Sequence, residues 1–148
     1  MGLRYLEDLE PDRPFDCGGF SFTRGEIIDF ATRFDPQPFH LDEEAAQQTY
    51  FKGLSASGIH SQAAALGCVV RALHDIAVIA GGSLDRAVFH VPVRPDRRYA
   101  VSAWWHEVRP SARNPARGVA ALKGVARQED GAVVMEFGVT YVMARRPV

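Results

Sequence analysis

Asp35 and His40 are the two side chains of this sequence whose types and spacing best suit acid–base chemistry. They stand five positions apart in the segment Asp-Pro-Gln-Pro-Phe-His, whose two prolines leave the backbone few accessible conformations. The distance between carboxylate and imidazole is therefore fixed at low entropic cost. We expect Asp35 at the end of a helix, where the dipole should make its carboxylate more basic. In the simpler interpretation, Asp35 only ends one helix and His40 only begins the next.

A run of small residues follows this pair and leads into an apolar stretch. It reads Gly-Leu-Ser-Ala-Ser-Gly from position 53 to Gly58. Unpaired N–H groups at the start of a helix favour a negative charge, and glycine permits a close approach of the backbone. Gly58 is therefore a candidate donor to an anionic oxygen, with Ser57 and Ser61 as candidate substrate contacts. The simpler interpretation of Gly58 is a tight turn before a buried helix.

The first half of the chain is predicted to be mainly helical. Thr23 and Glu26 have the spacing of a capping box, and Pro36 ends the helix that they begin. Apolar residues recur every three to four positions after Ile59, which predicts a long helix enclosed on most sides. The predicted elements are a strand over 14–22 bent at Gly18-Gly19, a helix from 23, a short helix over 42–49, and the long helix, which ends near Ile79 before Gly81-Gly82.

The second half is predicted to form four strands. Its last segment alternates apolar and other residues from Val133 to Met143, the pattern of a half-buried strand. The predicted strands cover 87–93, 99–108, 118–127 and 132–143, with a tight turn at Asp130-Gly131. These elements predict an α+β domain, an antiparallel sheet on a long central helix. The edges of a small sheet can be covered by large apolar side chains, here Phe89, Trp104 and Trp105. We therefore expect a homodimer.

Composition places the sequence among single-domain cytoplasmic proteins. The chain of 148 residues fits one domain over 1–148, and its apolar fraction of 47% is sufficient for an ordinary core. With 17 Lys and Arg against 18 Asp and Glu, the net charge of -1 provides no field for nucleic acid or an acidic membrane. Charged residues interrupt the first thirteen positions, so we expect no signal peptide, and we expect no later apolar run to span a bilayer. We therefore predict neither nucleic-acid nor membrane partners.

The cysteines and histidines predict no metal site. Cys17 and Cys68 are far apart and have no neighbouring sulfur, so small buried apolar side chains are the expected role. The five histidines form neither an HExxH motif nor a close pair. His60 and His74 fall on similar faces of the long helix, where packed or surface positions are commoner than ligand positions.

Three ordered motifs make the sequence resemble the MaoC-like dehydratases, the family of the (R)-specific enoyl-CoA hydratases. They are Asp35-Pro-Gln-Pro-Phe-His-Leu-Asp42, Phe51-Lys-Gly-Leu-Ser-Ala-Ser-Gly-Ile-His-Ser61 and Phe89-His-Val-Pro-Val-Arg-Pro95. The likeness covers nearly the whole chain. It implies a hotdog fold, a CoA thioester substrate and an active site at a dimer interface.

By position, the resemblance assigns the catalytic aspartate and histidine to Asp35 and His40, and the oxyanion-binding amide to Gly58. The sequence departs from the family pattern at two places. Gln37 stands where close relatives of the hydratases have Asn, and Asp96-Arg97 stands where Gly-Asp is usual. The position of an additional serine in some hydratases falls on Leu66. The candidates for binding the CoA phosphates are Arg94, Arg97, Arg98, Arg113 and Arg117. In the simpler interpretation, these arginines only form a solvated rim.

The expected function is hydration of an α,β-unsaturated acyl-CoA, or the reverse dehydration. The reaction needs a base for water, an acid for the α-carbon and donors to the thioester oxygen. Asp35, His40 and Gly58 supply these groups without a metal or a redox cofactor. Two alternatives stay open: a hotdog acyl-CoA thioesterase, and a non-catalytic acyl-CoA-binding or partner subunit.

Overall fold

The computed structural model describes residues 2–147, which form one antiparallel sheet and four helices within that range. A short 3-10 turn, Leu6–Asp8, precedes the first strand. The elements are β1 (Phe15–Phe20), α1 (Arg24–Phe34), α2 (Pro38–Leu41), α3 (Glu43–Gln47), α4 (Gly58–Ala72), β2 (Val78–Leu84), β3 (Val88–Phe89), β4 (Tyr99–Pro110), β5 (Arg117–Arg127) and β6 (Val133–Ala144). The predicted α+β class and hotdog arrangement are confirmed.

The sheet has the strand order β1-β4-β5-β6-β2, and β3 also pairs with β6. Each neighbouring pair is antiparallel. The turn between β5 and β6 contains Gly131 at φ 88°, a left-handed conformation that glycine adopts at little cost, as the Asp-Gly pair predicts. The register of β1 shifts between Asp16 and Gly19, which is the bend predicted from the glycine pair.

Helix α4 packs against β1 and β4 through one buried face. That face includes Ala65, Cys68 and Val69, while Ile59 and Val70 are exposed in the single chain. The helix is therefore less enclosed than its composition predicts. Cys17 is also buried, and burial raises the pKa of its thiol to about 11, which agrees with the expectation of an inert side chain.

The start of α1 follows the predicted capping box. Glu26 N–H donates to Thr23 Oγ1 over 3.1 Å, and Thr23 N–H donates to Glu26 Oε2 over 2.7 Å. Both bonds satisfy donors that have no partner inside a helix. At the other end, Asp35 N–H donates to Ala31 O over 2.9 Å, so the helix ends where Pro36 predicts. Asp35 is therefore held at a defined helix terminus.

The prediction that α4 continues to about Ile79 is wrong. The helix ends at Ala72, and Val78–Leu84 forms β2 on the edge of the sheet. Leu73 and Ile76 continue the helical spacing of apolar residues, but they are buried in the connection after the helix. Gly82 does not stop a helix; it lets β2 approach β6, because a Cβ there would lie 3.1 Å from Thr140 O.

The predicted strand over 87–93 is also wrong in length. Only Val88 and Phe89 form ladder pairs with β6; His90 and Val91 N–H still donate to Val134 O, and Val93 O then accepts from Ala56 N–H, just before α4. Trp105 does not cover an edge, because it is buried in the core beside Tyr141. The edge strands of the sheet are β1 and β2, and every residue of β2 is exposed in the single chain.

Asp96 stands where the resembling family usually has glycine. Its φ is 59°, in the left-handed region, and its N–H donates to Phe22 O over 2.7 Å. Aspartate is one of the few non-glycine residues that adopt this conformation. The replacement therefore preserves the turn between the site and β4.

Candidate active site

Asp35 and His40 face each other at the junction of α1 and α2. His40 Nε2 lies 3.4 Å from Asp35 Oδ2. The two side chains converge because α1 ends at Asp35 and Pro38 starts α2 two residues before His40. The imidazole is 5% exposed, whereas the carboxylate is partly accessible. The predicted proximity of the two groups is therefore present in the fold.

The tautomer of His40 is set by a backbone carbonyl. His40 Nδ1 lies 2.6 Å from Ser55 O. A carbonyl oxygen accepts hydrogen bonds and cannot donate, so Nδ1 must carry a proton. In the neutral ring, Nε2 then has a free lone pair directed toward Asp35. This arrangement makes Nε2 the proton acceptor of the site.

Both oxygens of the Asp35 carboxylate accept hydrogen bonds from side chains. Ser57 Oγ donates to Oδ2 over 2.6 Å, and Gln37 Nε2 donates to Oδ1 over 2.8 Å. The Ser57 hydroxyl holds the pKa of Asp35 below its usual value, with the Gln37 amide and the charge of His40 acting in the same direction against burial. The expectation of a more basic Asp35 is therefore wrong. Two direct donors outweigh the dipole of α1.

Arg94 holds the loop that carries the Ser55 carbonyl. Its guanidinium donates to Gly53 O over 2.7 Å and to Leu54 O over 3.2 Å, and also to Phe51 O. The loop is fixed further where Ala56 N–H donates to Val93 O over 2.8 Å. These contacts favour a structural role for Arg94 over the predicted contact with a phosphate.

A cavity of about 540 Å³ opens beside the pair. Asp35, His40, Gly58 and Ser61 all line it. Ser61 is buried, with its hydroxyl donating to Ser57 O over 3.2 Å. The cavity volume is typical of a site for a small organic ligand. The structure thus brings four of the predicted residues to one cavity, with Ser57 bonded to Asp35 behind them.

Gly58 begins α4 and lies against the ring of Phe89. A Cβ at Gly58 would be 2.8 Å from Phe89 Cζ, too close for any larger residue without movement. Its N–H is one of those at a helix start that lack a partner inside the helix. Glycine here therefore has a packing reason, and its N–H belongs to the positive end of the α4 dipole.

The five candidate arginines do not line this cavity in the single chain. Arg97 and Arg98 are exposed just before β4 starts at Tyr99. Arg113 and Arg117 are exposed beyond the other end of β4, roughly 35 Å away at the rise of an extended strand. One protomer cannot bring all of them to one phosphate group.

The remaining histidines have other environments. His60 is stacked between Phe22 and Phe30, with ring centroids 3.8 and 4.3 Å away, and burial lowers its pKa. His74 is exposed. Among residues 2–147, no group of three or more His, Cys, Asp or Glu side chains is arranged to hold a metal ion.

Several contacts of the site had no signal in the sequence. The Ser55 carbonyl and the Arg94 contacts depend on how the backbone folds, and no residue type encodes them. His90 lines the cavity, and its Nε2 lies 2.6 Å from Glu136 Oε2. In the sequence it looks like an ordinary strand residue. Gln37 is visible as a departure from the family motif, but its bond to Asp35 is not.

Comparison with known proteins identifies the family. A model described as MaoC like domain matches residues 8–125. The crystal structure of the MaoC-like dehydratase from Rhodospirillum rubrum has a TM-score of 0.87 and 32% identity, covering 98% of this chain and 99% of that chain. The chain therefore belongs to the MaoC-like dehydratase family, whose fold it shares.

Two further relatives extend the comparison. The (R)-hydratase PhaJ1 from Pseudomonas aeruginosa has the same fold, with a TM-score of 0.71 and 22% identity over 97% of this chain and 86% of that chain. The uncharacterised protein YdeM of Bacillus subtilis is 32% identical over 92 residues, 62% of this chain and 65% of that protein. The match therefore spans just under two thirds of the curated relative. Within residues 2–147, no helix is long and apolar enough to cross a membrane.

Replacing Arg94 with lysine separates its structural role from phosphate binding. Lysine keeps the charge but lacks the forked donors that reach several carbonyls, so we expect Arg94→Lys to lower the free energy of unfolding by about 1–3 kcal/mol in urea titrations. The exposed Arg97→Lys should change it by less than about 0.5 kcal/mol. Unchanged stability of Arg94→Lys, with a weaker affinity for CoA esters, would instead assign Arg94 to the phosphates.

Proposed function

We propose that the protein adds water to an α,β-unsaturated acyl-CoA thioester, or removes it from the 3-hydroxyacyl thioester, by acid–base catalysis at Asp35 and His40. The observation that carries the proposal is the separation of 3.4 Å between His40 Nε2 and Asp35 Oδ2 at the wall of a cavity. Neutral Nε2 and the carboxylate are both acceptors, and 3.4 Å exceeds the usual hydrogen-bond length. A water molecule that donates to both satisfies this arrangement.

The proton transfers of hydration follow from these positions. His40 Nε2 accepts one proton of the water while Asp35 Oδ2 accepts a hydrogen bond from the other. The water oxygen adds to Cβ, and the electrons of the double bond move toward the thioester oxygen. The imidazolium, stabilised by the adjacent carboxylate, then returns its proton to Cα. The reverse sequence is dehydration, with no net change in the protein.

The start of α4 supplies the place for the negative charge on the thioester oxygen. Gly58 lines the same cavity as Asp35 and His40, and its N–H stands at the positive end of the helix dipole. Apolar side chains, among them Phe39, Phe51 and Val91, form much of the remaining wall. They suit an acyl group, while the CoA portion extends to the surface.

Conversion of crotonyl-CoA tests the proposed chemistry. We expect Asp35→Asn and His40→Gln each to reduce kcat/KM at least about 100-fold, because each removes a group that holds the reacting water. Asp29→Asn and His74→Gln, the same changes at exposed positions, serve as controls. The measurement is the loss of the conjugated thioester absorbance. Rates near the wild-type value in either site variant would count against the proposal.

The same assay separates the alternative functions. A thiol-reactive dye detects free CoA, which a thioesterase releases and a hydratase does not. An acyl-CoA-binding subunit would bind the ester without converting it and would be insensitive to changes at Asp35 and His40. A panel of enoyl- and 3-hydroxyacyl-CoA esters of increasing length then defines the substrate.

We also propose that the protein forms a homodimer through the edge strand β2. All seven residues of β2 are exposed in the single chain, including Val78, Ile79 and Leu84. An edge strand presents unpaired N–H and C=O groups, and an apolar edge of this length favours a partner. A second copy of the same strand satisfies both the hydrogen bonds and the apolar side chains.

A charge on β2 tests this interface. Ile79 is 54% exposed in the single chain. If a second copy covers this edge, replacing Ile79 with lysine removes an apolar contact and buries a charge. We expect Ile79→Lys to shift the molar mass in light scattering from two chains to one, while Ala132→Lys, in the exposed turn between β5 and β6, does not. A wild-type monomer, or a dimer unaffected by Ile79→Lys, would reject this interface.

A further inference from the structure

Ser57 occupies the position before α4 but does not cap the helix. Serine at this position normally accepts a hydrogen bond from a backbone N–H in the first turn. In this chain the Ser57 side chain makes no capping bond. Its hydroxyl donates instead to Asp35 Oδ2 over 2.6 Å, across 22 positions of sequence. The Ser57 side chain therefore bonds to the Asp35 carboxylate and leaves the start of α4 without a side-chain cap.

The two donors to Asp35 differ in their surroundings. Ser57 is fully buried at 0% exposure, whereas Gln37 is exposed. A hydrogen bond shielded from water is less weakened by solvent than one at the surface. Ser57 also bonds to Oδ2, the oxygen that faces His40 Nε2, whereas Gln37 bonds to Oδ1. Ser57 is therefore the stronger and the better placed of the two donors.

We propose that Ser57 is a positioning residue whose hydroxyl holds Asp35 as a carboxylate and fixes the direction of Oδ2 toward His40. The proposal rests on the proposed function and specifies how the pair is kept ready for the reaction. His40 Nε2 stays free to accept a proton from water because the ring proton is on Nδ1, bonded to Ser55 O. Ser57 thus acts through Asp35, without contact with the substrate.

The groups around Asp35 define what a titration reports. From α2, His40 is the titratable group that faces the carboxylate, and Gln37 contributes an uncharged amide. From the start of α4, Ser57 contributes an uncharged hydroxyl. His90 lines the same cavity but is paired with Glu136. A change at Ser57 therefore alters the titration of Asp35 without altering any neighbouring charge.

Carbon NMR of the Asp35 carboxyl tests the proposal without any assay of activity. In wild-type protein, Asp35 should titrate below the ordinary aspartate value, because the bond from Ser57 favours the charged form. We expect Ser57→Ala to raise the midpoint by about one pH unit. Thr140→Val, which removes a hydroxyl-to-carboxylate bond of 2.9 Å to Asp85 outside the site, should leave the Asp35 midpoint unchanged. The Asp35→Asn spectrum assigns the resonance.

Activity adds a second readout. We expect Ser57→Ala to reduce kcat/KM for crotonyl-CoA, and Ser57→Thr, which keeps a hydroxyl, to restore both the rate and the low midpoint of Asp35. An unchanged midpoint in Ser57→Ala would overturn the proposal. If the midpoint rises in Ser57→Ala but the wild-type protein converts no enoyl thioester, the contact is supported and the proposed function is refuted.

Gln37→Ala decides the question if Ser57→Ala does not fold. This change is at an exposed side chain, so the fold should tolerate it. With Ser57 intact, Asp35 should still titrate below the ordinary aspartate value and shift less than one pH unit. Return of Asp35 to the ordinary value on loss of Gln37 alone would show that Ser57 is not the main donor, and would overturn the proposal.

Discussion

The hydrogen bond between His40 Nδ1 and the Ser55 carbonyl is the constraint on which the candidate site depends. At 2.6 Å it requires a proton on Nδ1 and leaves Nε2 as the acceptor beside Asp35. A buried imidazole without this partner could adopt either tautomer, and only one of them presents a base to the cavity. The loop that carries Ser55 is accordingly fixed on both sides, by Arg94 and by the carbonyl of Val93.

The fold serves this arrangement by bringing three distant segments together. Helix α1 delivers Asp35 at its end, α2 delivers His40 one turn later, and the start of α4 delivers Ser57 and Gly58. The sheet supplies the opposite wall through Phe89 and the segment that follows β3. Each segment meets the cavity at the end of an element, where the backbone can be fixed while its polar groups remain available.

Local chemistry explains the parts of the fold that the sequence predicted well. The Thr23 and Glu26 capping box, the stop at Pro36 and the alternation along β6 each depend on residues close together in the chain. The proximity of Asp35 and His40 belongs to this group, because five residues with two prolines connect them. These features could be inferred without knowledge of the rest of the structure.

Tertiary contacts explain what the sequence did not predict. Gly81 and Gly82 are typical helix terminators, but pairing with β6 makes them part of an edge strand. The pKa of Asp35 is lowered mainly by Ser57, a donor 22 positions away, so the local dipole gave the wrong direction. Arg94 looked like a free surface cation because backbone carbonyls leave no trace in the sequence.

Nitrogen NMR of the His40 ring is the most direct test of this account. Spectra are recorded at a pH where the ring is neutral, with His40→Gln protein used to assign the signals. The account predicts a protonated Nδ1 and an unprotonated Nε2. A neutral ring with its proton on Nε2 would contradict it, since the nitrogen facing Asp35 and the cavity could then not accept a proton from water.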